Sequence, residues 1–343
     1  MYSNPSRRTR AGQVQRFTGL DALRGIAAIS VVLQHAMERT MGVTDIYWPV
    51  LHSINLGRFG VILFFLISGF VIPPSLERHG ASGFAINRAF RLLPALWLSI
   101  ACAVLFRLID GLPVSASALL ANLFMVAKPL GQEQFASVYW TLSVELGFYV
   151  QCVLLYLGGQ LGNWRLTTGI GIFLTTTGAV LKAEMVTFPA YMLVGMAWRR
   201  ALDGDRQVLP WAIGGTLVLV ICGGMTSIHP NGNPVWMPFG MLTGSALAIP
   251  VFLIVILTNP KAVGEPKALS AFVWLGSISY SIYLFQIVAF WAIPPVSGAV
   301  YPMIVLFAVL AIASVVHRFV EQPAIKFGKK AAFFAASKKS LPA

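Results

Sequence analysis

Charge is what this chain has least of. Asp, Glu, Lys and Arg together make up 11% of its 343 residues, against about 25% in a typical soluble domain. Hydrophobic residues make up 57%. Such a chain cannot cover a water-facing surface, so the fold class expected is an all-α polytopic membrane protein, with no room for a sizeable soluble domain. Cysteine is scarce as well. Cys102, Cys152 and Cys222 each lie in apolar runs. They read as small core residues, and neither a disulfide framework nor a metal site is implied. Internal repeats are missing, which tells against the symmetric halves common in transporters.

Acid is scarcer than base: 12 Asp and Glu stand against 25 Lys and Arg, for a net charge of +13. In a soluble protein that excess would suggest nucleic acid. Here the basic residues lie between apolar stretches, so topology and anionic lipid explain them and no nucleic acid is expected as partner. About ten spans are read, at roughly 19–37, 56–75, 92–109, 139–159, 166–182, 186–199, 210–227, 238–258, 270–292 and 300–320. The apolar stretch 112–127 is too short and reads as a re-entrant or surface element.

Between these spans the basic residues gather on one side. They are Arg7, Arg8, Arg10, Arg16, Arg78, Arg88, Arg91, Arg165, Arg199, Arg200, Arg206, Lys261, Lys267, Lys326, Lys329, Lys330, Lys338 and Lys339. Loops on the other side hold little beyond Arg39, Lys128 and Lys182. Both termini are therefore expected in the cytoplasm, in a multi-pass membrane protein. The first span follows a basic segment but lacks a clear small-residue cleavage site, so it reads as retained. The expected division is a cytoplasmic N-terminus over 1–18, a membrane domain over 19–323 and a basic tail over 324–343. The tail is expected to be mobile and to contact lipid.

Ionisable residues inside a span are expensive and suggest function by default. Arg24 and His35 share the first span. Eleven residues at about 100° each come to three turns and about 20°, so both occupy one helix face about 16 Å apart. In the second span, Ser68 and Gly69 allow close helix packing or passage of a ligand. Arg88 and Arg91 present two parallel guanidinium forks, suited to phosphate or to anchoring at the membrane surface.

The run Trp140-Thr141-Leu142-Ser143-Val144-Glu145-Leu146-Gly147-Phe148-Tyr149 buries a carboxylate at a depth close to that of His35. Glu145 would orient the imidazole of a general base or hold two helices together. In the ninth span, Tyr280, Tyr283 and Gln286 offer hydroxyl and amide groups to a ligand or to neighbouring helices. Glu321, at the end of the last span, reads as a structural salt-bridge partner near the level of Arg24, Arg88 and Arg91.

Taken in order, these segments resemble the acyltransferase-3 family of membrane O-acyltransferases. They are Arg24 with His35, GVILFFLISGF at 60–70, RAFRLLP at 88–94, WTLSVELGFY at 140–149, LGSISYSIYLF at 275–285 and VEQP at 320–323. Each alone is weak, but the ordered set is specific and covers nearly the whole chain. The resemblance implies a ten-helix fold and an acyl-CoA donor, acetyl-CoA by preference, bound from the cytoplasm without a metal. It implies transfer to a hydroxyl of a cell-envelope or exported carbohydrate or glycolipid. Arg88 and Arg91, with Arg24, would hold the CoA phosphates, and the pantetheine arm would pass Ser68 and Gly69. His35 would act as general base beside Glu145, and Tyr149, Tyr280 or Tyr283 would stabilise the oxyanion.

One departure stands out. Many members carry His after the YSIYL-type run, where this chain has Gln286, and Gln cannot shuttle a proton near neutral pH. The chain also ends soon after Glu321, so transfer is expected to finish within the membrane domain or at a separate partner. The residues leave two other classes open: a proton-coupled transporter or flippase of a glycan or small molecule, and a scaffold subunit with a degenerate site.

Overall fold

The computed structural model describes residues 18–41, 46–181, 183–225, 237–258, 267–296 and 300–337. Arg7, Arg8, Arg10, Arg16, Lys182, Lys261, Lys338 and Lys339 lie outside the described residues, as do the side chains of Cys222 and Lys267. Every regular element among the described residues is helical.

The first apolar run forms α1 (Thr18–Arg39), and the short α2 (Trp48–Ser53) leads into α3 (Leu56–Ile109). At 54 residues, α3 would measure about 81 Å if straight, far more than the roughly 30 Å of a hydrocarbon core. It is broken at Gly80, whose φ of 66° and ψ of 170° are non-helical; the positive φ is open to glycine because it has no Cβ. The two arms then face the same partner. Ser68 Oγ donates to Glu145 Oε1 at 3.1 Å, and the Arg88 guanidinium lies 5.6 Å from the Tyr149 ring, one turn further along that helix. In a straight helix Ser68 and Arg88 would stand about 30 Å apart.

The stretch expected to be a surface element yields only α4 (Ala116–Leu123). Asn122 pins the loop that follows, donating to Glu133 O at 2.8 Å and accepting from Phe135 N–H at 3.2 Å. A 3₁₀ turn at Ser137–Tyr139 opens α5 (Trp140–Leu157). Then come α6 (Trp164–Val180), α7 (Glu184–Leu202), α8 (Leu209–Met225) and α9 (Met237–Thr258). A bend of 68° separates α10 (Lys267–Ser277) from α11 (Ser279–Ala292). A π turn at His317–Glu321 joins α12 (Tyr301–Val316) to α13 (Gln322–Ser337).

Each of the ten expected spans overlaps a helix, with residues 158–159, 181, 278 and 300 in turns and residues 182 and 226–227 outside the described part. Among the described residues, five helices are long and apolar enough to cross a membrane, or six if α10 and α11 count as one. The expected second and third spans belong to the broken α3. The 17 residues of α6 reach only about 26 Å.

The basic tail differs from expectation. Residues 322–337 continue as helix, and Phe327 packs on Phe90 of α3 with ring centroids 5.2 Å apart. Phe327 itself stays largely exposed, while Ala332 is buried and a Cβ at Gly328 would lie 2.5 Å from Phe90 Cβ, so α13 packs closely on α3 where composition alone suggested a mobile end.

The core is built by close backbone approach. A Cβ at Gly69 of α3 would lie 1.7 Å from the Met192 carbonyl oxygen, and one at Gly195 of α7 would lie 2.1 Å from that of Leu66. These two glycines let α3 and α7 meet backbone to backbone, the usual way membrane helices pack when lipid is as apolar as the side chains.

Candidate functional site

Four helices converge on a narrow cavity of about 90 Å³. Arg24 comes from α1, Ser68, Arg88 and Arg91 from the two arms of α3, Glu145 and Tyr149 from α5, and Tyr280 and Tyr283 from α11. Arg24 donates to Asp21 at 2.9 Å. Arg88 lies over the rings of Phe84 and Tyr149. Glu145 accepts from Tyr149 OH at 2.5 Å as well as from Ser68. Tyr280 OH donates to the Leu92 carbonyl at 2.9 Å, which holds α11 to the second arm of α3. Three guanidinium groups against two carboxylates, Glu145 and the Asp21 paired with Arg24, leave the cavity with an excess of positive charge, which suits a phosphate-bearing ligand.

His35 lies at the other end of α1, beside a roomier cavity of about 440 Å³ lined also by Glu38, Arg39, Ser137, Gln286 and Phe290. Its Nδ1 lies 3.0 Å from Glu38 Oε2. An ionised carboxylate can only accept, so Nδ1 carries the proton and Nε2 is left as the basic nitrogen. Glu38 is itself held. The buried Gln34 donates to Oε1 at 2.7 Å and accepts from Leu56 N–H at 2.8 Å. Gln286 is 1% exposed, donates to Tyr283 O at 2.8 Å, and keeps its Oε1 without a hydrogen-bond partner.

A third space lies between the first two and shares lining residues with each. His35 and Glu38 line it together with Val61 and Tyr283, and Val61 and Tyr283 also line the arginine cavity. Tyr283 stands at this junction under restraint. Its hydroxyl donates to Val138 O at 3.1 Å and pairs with Thr141 Oγ1 at 2.8 Å, while Phe64 meets its ring edge-on.

The structure thus separates two residues that the sequence seemed to join. Glu145 lines the arginine cavity and His35 does not; the carboxylate on His35 is Glu38. The expected depth match failed because α5 starts from the 3₁₀ turn at the His35 cavity, and Glu145 then lies about 12 Å deeper, eight residues beyond Ser137. Glu38 was missed although it sits three residues from His35 on one helix, a spacing that places side chains together.

Arg58 was missed too. This buried cation of α3 bonds Ser245 Oγ at 2.7 Å and lines the joining space; its signal was a charge inside an apolar run. Gly69 does not line the cavity; its contact is with α7. Glu321, expected to be a structural partner, pairs with His317 at 2.6 Å and accepts from Ser281 Oγ at 2.6 Å; it does not line the arginine cavity. Among the described residues no three His, Cys, Asp or Glu side chains gather as a metal site.

These features can be set beside known proteins. The family model described as "Acyltransferase domain", of the acyltransferase-3 family, matches residues 17–317. The exopolysaccharide production protein ExoZ of Rhizobium meliloti (strain 1021) is 30% identical over 329 residues, covering 87% of this chain and 96% of ExoZ. Nodulation protein 10 of Rhizobium leguminosarum bv. viciae is 23% identical, covering 94% of this chain and 96% of its own. YrhL of Bacillus subtilis (strain 168), described provisionally as a peptidoglycan O-acetyltransferase, is 26% identical over 89% of this chain and 54% of YrhL. No solved structure matches. With the match running from the start of α1 to the π turn, the chain belongs to the acyltransferase-3 family.

Proposed function

We propose that this protein is a membrane O-acyltransferase that moves a short acyl group, acetyl by preference, from acyl-CoA to a hydroxyl of a cell-envelope or exported carbohydrate or glycolipid. One observation carries the reading: α1 bears an arginine cavity at one end and a carboxylate-held imidazole at the other, and the space between them shares Val61 and Tyr283 with the first and His35 with the second. The relatives support it through their names, which refer to exopolysaccharide production and peptidoglycan O-acetylation.

In this reading the protein sits in the inner membrane with ten spans and both termini in the cytoplasm. Residues 1–18 and 324–343 flank the membrane domain. Arg24, Arg88 and Arg91 hold the CoA phosphates, and the pantetheine arm runs past Ser68 toward Tyr283. The acceptor enters the roomier cavity beside His35 and Gln286. His35 Nε2 takes the hydroxyl proton as the acceptor oxygen bonds to the thioester carbon. The C–S bond then breaks, and the CoA thiolate recovers that proton from the imidazolium. Glu38 holds the imidazole and stabilises its charged form. Tyr283 or the Arg58 guanidinium faces the oxyanion, and Glu145 balances the arginines and positions Tyr149.

The test uses membranes carrying wild type or His35→Ala, supplied with acyl-labelled acetyl-CoA and an envelope glycan extract. Expected is CoA release matched by base-labile label on glycan, lost in His35→Ala. Equal transfer by both proteins removes His35 as the base. Glycan movement without CoA release points to transport instead.

A further inference from the structure

Helices α6, α7 and α8 enclose a cleft of about 210 Å³ that shares no lining residue with the spaces at the arginines and His35. Its walls are apolar, among them Ile172, Leu193 and Val218, and Met196 and Leu219 at its base are buried. Along α6 it runs from Trp164 to Thr175, about 16 Å of helix, or roughly half the hydrocarbon thickness of a bilayer.

One end of this cleft is cationic. Arg200 closes it from the last turn of α7, where α6 and α8 both begin. Arg200 donates to the Gly162 carbonyl, and Arg165, outside the lining of the cleft itself, lies 5.3 Å from the ring of Trp164, which does line it. Among the described residues neither arginine has a carboxylate within ion-pair distance. The N-termini of α6 and α8 add partial positive charge at the same end. Trp164 and Trp211 pack against each other there, tilted by 32° with ring centroids 5.4 Å apart, and tryptophans are enriched at membrane–water interfaces. A long apolar slot, a belt of indoles and two cations without counter-ions match, in order, an acyl chain, a glycerol backbone and a phosphate.

We propose that this cleft binds one acidic phospholipid, its phosphate against Arg200 and Arg165 and one acyl chain between α6 and α8. Gly214 lines the cleft, and a Cβ built there meets no atom within 4 Å, so a side chain at 214 starts in open space on the side the lipid would occupy.

The experiment takes the full chain, purified in neutral detergent, and adds phosphatidylglycerol, phosphatidylcholine or inorganic phosphate. Native mass spectrometry reads bound lipid, and thermal unfolding reads stabilisation. Expected is one retained phosphatidylglycerol, which raises the melting temperature, with no such effect from phosphatidylcholine or phosphate. Arg200→Gln and Arg165→Gln should each weaken retention about fivefold, Arg200→Lys should keep most of it, and Gly214→Leu should abolish it while the protein still folds. Arg165 is exposed and rests on the Trp164 ring, so that variant tests the headgroup even if Arg200→Gln misfolds. Equal retention of the two lipids, wild-type binding by Gly214→Leu, or stabilisation by phosphate alone would overturn the proposal.

Discussion

Glu38 Oε2 lies 3.0 Å from Nδ1 of His35, one helical turn away on α1. The pair is local in sequence, yet its orientation depends on α3. The Leu56 N–H fixes Gln34, which in turn fixes the other oxygen of Glu38. The imidazole is therefore preset with Nε2 as its basic nitrogen, before any acceptor arrives.

Glu38→Gln and Glu145→Gln should fail differently. Loss of the carboxylate at 38 removes what holds the imidazole, so kcat should fall about a hundredfold or more, with KM for acyl-CoA little changed. Glu145→Gln should act mainly on KM for acyl-CoA, because Glu145 lies among the arginines. Steady-state kinetics of both variants decide the matter, and the reverse pattern would return Glu145 to His35.

Arg88→Gln and Arg91→Gln should each raise KM for acyl-CoA by about tenfold to a hundredfold, the worth of a charge-assisted hydrogen bond. The loss should be smaller for a donor analogue that lacks the nucleotide phosphates. Competition by desulfo-CoA and by pantetheine reads this directly; equal losses for both would place the phosphates elsewhere.

Val61→Phe narrows the junction where the arginine and His35 spaces meet. Transfer should fall by about a hundredfold, as expected when reacting groups are held about 1 Å from their productive positions, while CoA still binds. Equilibrium binding of CoA beside single-turnover transfer checks it. Unchanged transfer would mean that the donor does not pass between the two spaces here.

Gly69→Ala should destabilise the protein by about 1–3 kcal/mol, the cost of forcing a methyl into a filled contact, because its Cβ meets the Met192 carbonyl. Gly214→Ala, in open space, should be neutral or slightly stabilising, since Ala is the better helix former. Thermal unfolding in detergent compares the two.

How much of the site was legible follows from how each contact is made. Arg24 and His35 could be placed on one face because helical period alone relates them. Arg88 and Arg91 likewise form a local pair, and the structure brings them to the cavity that holds Arg24. The partner of Glu145 was not legible, because it depends on where α5 starts beside α1, and that start is set by a loop pinned through Asn122. Gly69 could be read as packing or as passage, since a small residue permits both.

Composition and hydropathy by themselves determined that the chain is helical and built for a membrane, since few charges and long apolar runs leave no other way to satisfy the backbone in lipid. Helical spacing determined which cations share a face. Only the tertiary structure decided which carboxylate meets His35, that α3 breaks at Gly80, and that Gln286 is buried at the wall of the cavity His35 lines. Each of these depends on contacts between helices, where side-chain reach is a few ångströms and the expected span positions are uncertain by at least that much.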